Sequence, residues 1–427
     1  MSRFFTIGLL CVLAVSLGLS GAAAQEQPAA EWPQWRGPNR DGVSADTGLL
    51  RQWPAGGPPL VWKATGLGSG YSSISLADGR IYTMGDRQDA CYLLALVART
   101  GKEVWAARVG EPKGGGGYPG PRCTPTADGD LVFALGQHGD LVCVRAADGR
   151  EVWRKNYSTD YGGKKDENWG CSESPLVDGN RLICTPGGKS ATMVALDKRT
   201  GKEVWKCLVP GCRAGHSSAV VAEVGGVRHY VQLTTGGVIG VRAKDGQLLW
   251  KYTKFTPNTA NIPTCIVRGD EVFCSAGYRN GGGALLKLTP TGDGGITMNE
   301  VYCHSELHNK HGGWVRVGDY LYGDRDDRGQ PRCVEWKTGK VVWAKEGRSA
   351  GSGSAAITYA DGHLYIRYQN GVVVLVAADP NGGYQEKSSF KIPRTEGGPS
   401  WPHLVVVGGR LYVREQDQLL CYDVRQK

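Results

Sequence analysis

No CxxC, no adjacent cysteine pair and no CxxCH occurs in the 427 residues. Redox-motif and haem-attachment readings therefore have no support. GxSxG, HExxH and a Rossmann fingerprint are missing from any supporting context, so those hydrolase, metallopeptidase and dinucleotide readings fall away. Gly114–Gly117 has no GKS or GKT beside it and reads as a flexible segment linking two repeats, not a phosphate loop. After residue 24 no run reaches about 18 apolar residues, the length a membrane helix needs. Basic residues form no dense run, and aromatics do not interleave with them as on a nucleic-acid platform. No nucleic-acid partner is expected.

What is present points to many short strands. The chain has 64 glycines and 41% hydrophobic residues, which suits tight turns better than long helices. Residues 1–24 open with Arg3, continue as an apolar stretch and end in Ala22-Ala23-Ala24. They read as a secretory signal peptide cleaved after Ala24, which places the mature chain in the periplasm or outside the cell. No cysteine follows the small residues to accept a lipid, so contact with a membrane would be peripheral at most. The formal charge of +9 is scattered through turns such as Thr100-Gly101-Lys102 and reads as a mildly basic surface. A polyanionic envelope glycan stays open as a partner. Twelve cysteines remain after the leader; several, such as Cys143, Cys184, Cys274 and Cys421, alternate with apolar residues and read as buried thiols, while Cys207 and Cys212 flank a short turn and could pair.

One phrase returns along the chain. It ends at Trp105, Trp153, Trp205, Trp250 and Trp343, with degraded copies at Trp62, Tyr302 and Phe390. The eight aromatic ends lie 41 to 52 residues apart, a propeller period. Each period offers four alternating strands with Asp-Gly or Gly-Asp turns, which is one blade. A blade has two apolar faces that only stacked neighbours can bury. Blade starts fall near 71, 124, 173, 217, 262, 311, 353 and 400, giving an all-β, eight-bladed β-propeller over 57–427. Residues 400–425 supply only three strands, and the stray copy at Pro59-Leu60-Val61-Trp62 supplies the fourth, so an N-terminal strand closes the ring. Residues 25–56 form an arm with two Trp in its Trp32–Gly42 stretch. It is expected to pack across the propeller edge, and the chain is expected to be a monomer.

In such a ring the links from each outer strand to the next inner strand converge on the axis. Here they carry Tyr71, Arg122, Trp169, Glu173, His216, Asn261, His311, Trp401 and His403, the candidate axial pocket. His304, His308 and His311 lie in one eight-residue stretch. A three-histidine metal site is weighed against a single axial histidine, His311. Glu173 could coordinate calcium, or its alternation could send it to solvent or a turn. Asp324–Asp327 lacks EF-hand spacing and reads as a solvated turn. No nucleophile triad is assigned, and the catalytic residues, if any, stay unknown.

The run Ala195-Leu196-Asp197-Lys198-Arg199-Thr200-Gly201-Lys202-Glu203-Val204-Trp205 resembles the quinoprotein-type (PQQ-like) propeller repeat, and the resemblance covers residues 57–425. The opening Trp32–Gly42 resembles exported propellers common in planctomycete-like bacteria. The repeat implies two branches. One is the quinoprotein alcohol dehydrogenases, which bind pyrroloquinoline quinone (PQQ) and calcium; the resemblance would assign Glu173 and Asn261 to the metal. That branch typically has an adjacent Cys-Cys pair and a catalytic Asp, and neither stands out here. The other is the non-enzymatic, BamB-like outer-membrane assembly lipoprotein, whose lipidated cysteine is missing here. Short blade links leave little chain to enclose a substrate, so the leading expectation is an exported, non-enzymatic interaction or scaffold propeller of the cell envelope, with no cofactor. A PQQ/calcium-dependent alcohol or sugar oxidoreductase and a polysaccharide-binding or lyase-like propeller remain as alternatives. Fold likeness alone does not choose between them.

Overall fold

In the computed structural model, which describes Met1 and residues 31–113, 116–163, 169–255, 259–278, 280–326, 328–347, 351–394 and 397–426, the repeat phrase folds the same way at successive copies. In the copy at 195–205, Asp197 ends a strand and its Oδ1 accepts the amides of Arg199 and Thr200 and the Thr200 hydroxyl. This side-chain turn brings the chain back through Gly201 at φ +68°. The returning strand carries a bulge that skips Val204 and places Trp205 opposite Ala195. All eight blades carry such a register shift between their third and fourth strands. The bulged valines, Val104, Val152, Val204, Val301 and Val342, are exposed on the rim.

Each terminal aromatic then reaches the next blade. The indole Nε1 of Trp105 donates to Ala146 O at 3.0 Å, Trp153 to Lys198 O at 3.0 Å, and Trp205 to Ala243 O at 3.0 Å. Tyr302 substitutes its hydroxyl, donating to Trp336 O at 3.0 Å. The rings of Trp62, Trp105, Trp153, Trp205 and Tyr302 lie over the turn glycine of the neighbouring blade, whereas Trp343 reaches its neighbour through Nε1, which donates to Asp379 O at 2.9 Å. A Cβ on Gly246 would sit 2.6 Å from the Trp205 ring, and one on Gly149 2.6 Å from Trp105. The glycine of the phrase is therefore required twice, for its left-handed backbone and for the room it leaves. Trp250 is the exception: its indole leans on Gly240 of its own blade and its Nε1 has no partner.

The result is eight four-stranded antiparallel sheets. Blades 1 to 7 span residues 75–110, 126–156, 176–207, 220–252, 266–304, 314–344 and 355–391. Blade 8 combines Val405–Val407, Arg410–Glu415 and Gln418–Asp423 with Leu60–Ala64, which pairs antiparallel with Gln418–Asp423. The ring is closed by this N-terminal strand, as the stray Trp62 copy implies. Residues 2–24 of the leader and 25–30 of the arm lie outside the described residues, as do Gly114, Gly115 and Asp327.

The first stretch of the arm, residues 32–44, does not lie across an edge. It enters the axial channel and packs on the inner strands. Trp32 exchanges backbone hydrogen bonds with Leu76 of blade 1, and Pro33 O accepts from Ala127 of blade 2. Arg40 donates to Ser174 O and Pro175 O at blade 3, and Arg36 donates to Trp314 O at blade 6. Ser44 N donates to Tyr359 O of blade 7. Residues 32–44 thus plug the channel. Both arginines are buried, and burial lowers each pKa to about 10. Their hydrogen bonds to strand-start carbonyls satisfy polar groups that the channel would otherwise leave bare.

Further on, the arm supplies an aromatic that blade 7 lacks. In that blade Ser388, not Phe390, takes the position after the bulge where other blades hold Trp. Ser388 Oγ accepts the backbone N–H of Trp53 at 2.9 Å. The Trp53 ring packs on Tyr365 at 5.7 Å and on Phe390 at 5.3 Å. Trp105 packs on Tyr82 of its own blade at 5.9 Å in the same manner. Trp53 is 4% exposed and belongs to the core between blades 7 and 8.

Candidate functional site

The outer-to-inner links meet over the plugged channel and leave a cavity of about 320 Å³. Seven of the eight links contribute to its wall. Of the nine residues picked from the sequence, it gathers Tyr71, Arg122, Trp169, His216, His311, Trp401 and His403. Glu173 and Asn261 lie instead on a neighbouring cavity of about 60 Å³, which shares Ser172 and His216 with the first.

Aromatic contacts organise the larger cavity. Trp401 stacks on His311 with ring centres 4.4 Å apart and planes 12° from parallel. Tyr71 and Tyr118 lean against Trp401 at 5.0 and 4.8 Å. Gln369 holds the Trp401 indole through a 3.0 Å hydrogen bond. The floor comes from the plug: Trp35 lines the cavity, donates from Nε1 to Thr264 Oγ1 at 2.9 Å, and meets His403 edge-on at 4.6 Å. Trp169 approaches His216 on the far side at 6.1 Å.

Among the described residues lining this cavity, Arg122 is the only charged one apart from what the histidines can carry. Its guanidinium lies over the Tyr71 ring at 5.4 Å, a cation–π arrangement. Nη1 and Nη2 donate to Gly120 O and Tyr118 O at 3.1 and 2.8 Å. Burial lowers its pKa to about 10, opposed by Tyr71 and Asp86, so it stays cationic at neutral pH. Burial raises the Tyr71 pKa, which keeps that phenol protonated. His403 is held down to about 3 by burial, reinforced by the charge of Arg36, and is therefore neutral. His311 Nδ1 meets Ser354 Oγ at 3.0 Å, but Ser354 is buried and is not on the cavity wall. A serine so placed cannot reach a ligand as nucleophile.

The smaller cavity holds Glu173 and Asn261, the two residues the quinoprotein resemblance would assign to a metal. Glu173 is 4% exposed, neither solvated nor in an open turn as one reading of its alternation would have it. Its Oε1 accepts the Tyr157 hydroxyl and, at 2.6 Å, the Thr185 amide. Burial raises its pKa; these hydrogen bonds and the charge of Arg40 oppose the rise. Asn261 donates to Thr234 O at 2.7 Å, while its Oδ1 has no partner. Glu173 Oε1 is thus engaged by the protein, and the Asn261 amide oxygen is left unpartnered in the same cavity. Among the described residues no three of His, Cys, Asp and Glu gather into a metal-binding group. His304 stacks on Tyr302 away from the axis, so the His304, His308, His311 trio does not converge. Cys207 and Cys212 are buried free thiols.

Asp324 is also not in a solvated turn. It is 1% exposed and accepts the amides of Gln330 and Ala355 at 2.6 and 3.0 Å. It ends the second strand of blade 6 and ties that blade to the start of blade 7. Burial pushes its pKa up to about 7.

The family model described as outer membrane protein assembly factor BamB matches residues 89–345. This chain belongs to the BamB family. BamB of Moranella endobia is 26% identical over 289 residues, covering 65% of this chain and 69% of the relative. BamB of Shewanella oneidensis is 26% identical over 272 residues, covering 60% and 64%. The chain thus spans about two thirds of the length of these relatives. Among solved structures, BamB from Moraxella catarrhalis superimposes with TM-score 0.56 at 13% identity, over 86% of this chain and 98% of that one. Quinohemoprotein alcohol dehydrogenase from Comamonas testosteroni gives TM-score 0.63 at 12% identity, over 93% and 81%. At such identities the two likenesses speak to fold alone.

Several lining residues carried no sequence signal. Tyr278 and Gln369 sit after second strands, outside the links that the repeat marks. Trp35 announced itself only as a second Trp in the arm. Ser174 and Ser218 lie one residue beyond the blade starts expected at 173 and 217.

Proposed function

We propose that this chain is an exported, non-enzymatic binding propeller of the cell envelope, BamB-like, which docks a partner in the axial cavity. The carrying observation is the cavity's composition: stacked aromatic planes around one arginine, with the neighbouring serine and carboxylate held out of reach. Such a wall supplies contact area and orientation, and among the described residues no three of His, Cys, Asp and Glu gather to hold a metal. Membership of the BamB family supports an interaction role, and the leader read at residues 1–24 supports export to the periplasm or beyond. The quinoprotein alternative has the fold likeness in its favour, and the commitments of Glu173 against it.

A photo-crosslinking residue placed at Tyr118, on the cavity mouth, tests this reading in the producing cell. The expected result is a discrete adduct with an envelope component that disappears when Trp401 is changed to Ala. Adducts only from rim positions such as Val104 and Val204, and none from Tyr118, would overturn docking in the cavity. Calcium-dependent, saturable binding of PQQ that Glu173→Ala abolishes would replace it with the oxidoreductase reading.

A further inference from the structure

We infer that the ligand of the axial cavity is an acidic saccharide, a pyranose unit bearing a carboxylate; this rests on the docking reading above. Three features of the wall must be matched together.

The first is a set of flat apolar faces. Trp401, Tyr118, Tyr71, Trp169 and the plug residue Trp35 present rings to one cavity. Aromatic planes with a polar edge suit a ligand that has an apolar face and a wet rim. The second feature is a fringe of neutral hydrogen-bonding groups. Ser218 Oγ accepts the Ser174 amide at 2.9 Å, so its own proton is left to donate. Ser172, Ser174, Gln369 and the Tyr71 phenol lie on the same wall. The third feature is Arg122. It has carbonyl partners and a tyrosine face, and among the described residues it makes no ion pair and no Asp or Glu lines its cavity. Asp86 acts on this guanidinium through space but makes no ion pair with it; a partly buried cation left without a direct carboxylate partner gains from an arriving anion, and a guanidinium matches a carboxylate in bidentate fashion.

A neutral glycan would satisfy the faces and the fringe but leave Arg122 unmatched. A flat aromatic acid would satisfy the faces and Arg122 but leave the hydroxyl fringe dry. An aromatic peptide side chain would use the faces alone. A ring with an apolar face, several hydroxyls and one carboxylate meets all three. The scattered positive charge of the surface, +9 in formal terms, favours encounter with a polymer of such units.

The test is titration of the mature chain with trigalacturonate and a hyaluronan tetrasaccharide, against cellotriose as the neutral probe and benzoate as the flat acid. Trp fluorescence and calorimetry read the binding at moderate salt. The acidic saccharides should bind at least about tenfold more tightly than cellotriose, the worth of one charge-assisted hydrogen-bonded pair. Arg122→Gln should erase that preference, so that the acidic saccharides bind that variant no more tightly than cellotriose does, and Trp401→Phe should weaken all saccharides. Arg199→Gln, an exposed arginine outside the cavity, serves as the control for nonspecific charge and should change nothing. A preference that survives Arg122→Gln, or that falls equally in Arg199→Gln, overturns the inference, as does tighter binding of benzoate. If no saccharide binds yet Tyr118 still yields its adduct, the saccharide class is wrong and docking stands. If neither occurs, both fail.

Discussion

Trp53 should behave as the terminal tryptophan of blade 7 although it lies some 335 residues from its partner serine. The indole is 4% exposed and packs on Tyr365 and Phe390. Trp53→Ala removes a fully buried aromatic, and the closing strand starting at Leu60 leaves little freedom to collapse around the gap. The expected loss is about 3–5 kcal/mol. The decisive variant is Ser388→Trp, which puts an indole back at the blade's own register. In the wild-type background two indoles would compete for one space, and overpacking should cost about 1–3 kcal/mol. In the Trp53→Ala background the same change should stabilise, because the space is vacant. Urea unfolding of the four proteins of this cycle, followed by far-UV circular dichroism, measures the midpoints. A propeller can lose blades in steps, so hydrogen exchange at Leu60–Ala64 and Gln418–Asp423 should be followed in parallel. If Ser388→Trp has the same sign in both backgrounds, Trp53 does not occupy that position and the reasoning fails.

Two further perturbations address the staples and the buried histidine. Gly246→Ala and Gly179→Ala both put a side chain at positive φ, +77° and +59°, which alone costs about 1–2 kcal/mol. Only Gly246 lies under an indole, so it should cost about 1–3 kcal/mol more in urea midpoint measurements, and that excess should vanish when Trp205 is Ala. His403 has its folded pKa near 3, below the ordinary 6.5, chiefly through burial. The stabilisation from keeping it neutral is therefore present above about pH 6.5 and is lost as the pH falls toward 3. The drop in urea midpoint between pH 7 and pH 4.5 should be smaller in His403→Gln than in wild type; an equal drop would remove His403 from the acid response.

The ring was legible because its determinants are local. Asp197, Thr200, Gly201 and Trp205 lie within nine residues, and one turn, one bulge and one staple follow from them at each repeat. The closing strand was legible because an unpaired copy, Trp62, matched a three-stranded end. The arm was not, because its contacts with Leu76, Ala127, Ser174, Trp314 and Tyr359 come from five different stretches of chain and obey no period. Phe390 misled for a related reason: it is aromatic and near the expected spacing, yet a one-blade register puts Ser388 in its place and brings the aromatic from residue 53. At the cavity, topology alone carries each link to the axis, which is why seven of the nine chosen residues meet there. Glu173 and Asn261 diverge because they face the interior behind that wall, where Tyr157, Thr185 and Thr234 engage them.

The plug changes what the cavity can do. With residues 32–44 filling the channel, the site is blind and a ligand must enter from the face where the links converge. The same continuous segment provides the cavity floor at Trp35, the buried arginines Arg36 and Arg40, the aromatic of blade 7 at Trp53 and the closing strand at Leu60–Ala64. A ligand that rests on Trp35 therefore touches the element that closes the ring. Anything that binds the closed ring better than an opened one stabilises closure by mass action, and reciprocity requires that loosening closure weaken the ligand. Binding energy and ring stability are in this way coupled through one stretch of about thirty residues, with no moving lid needed to connect them.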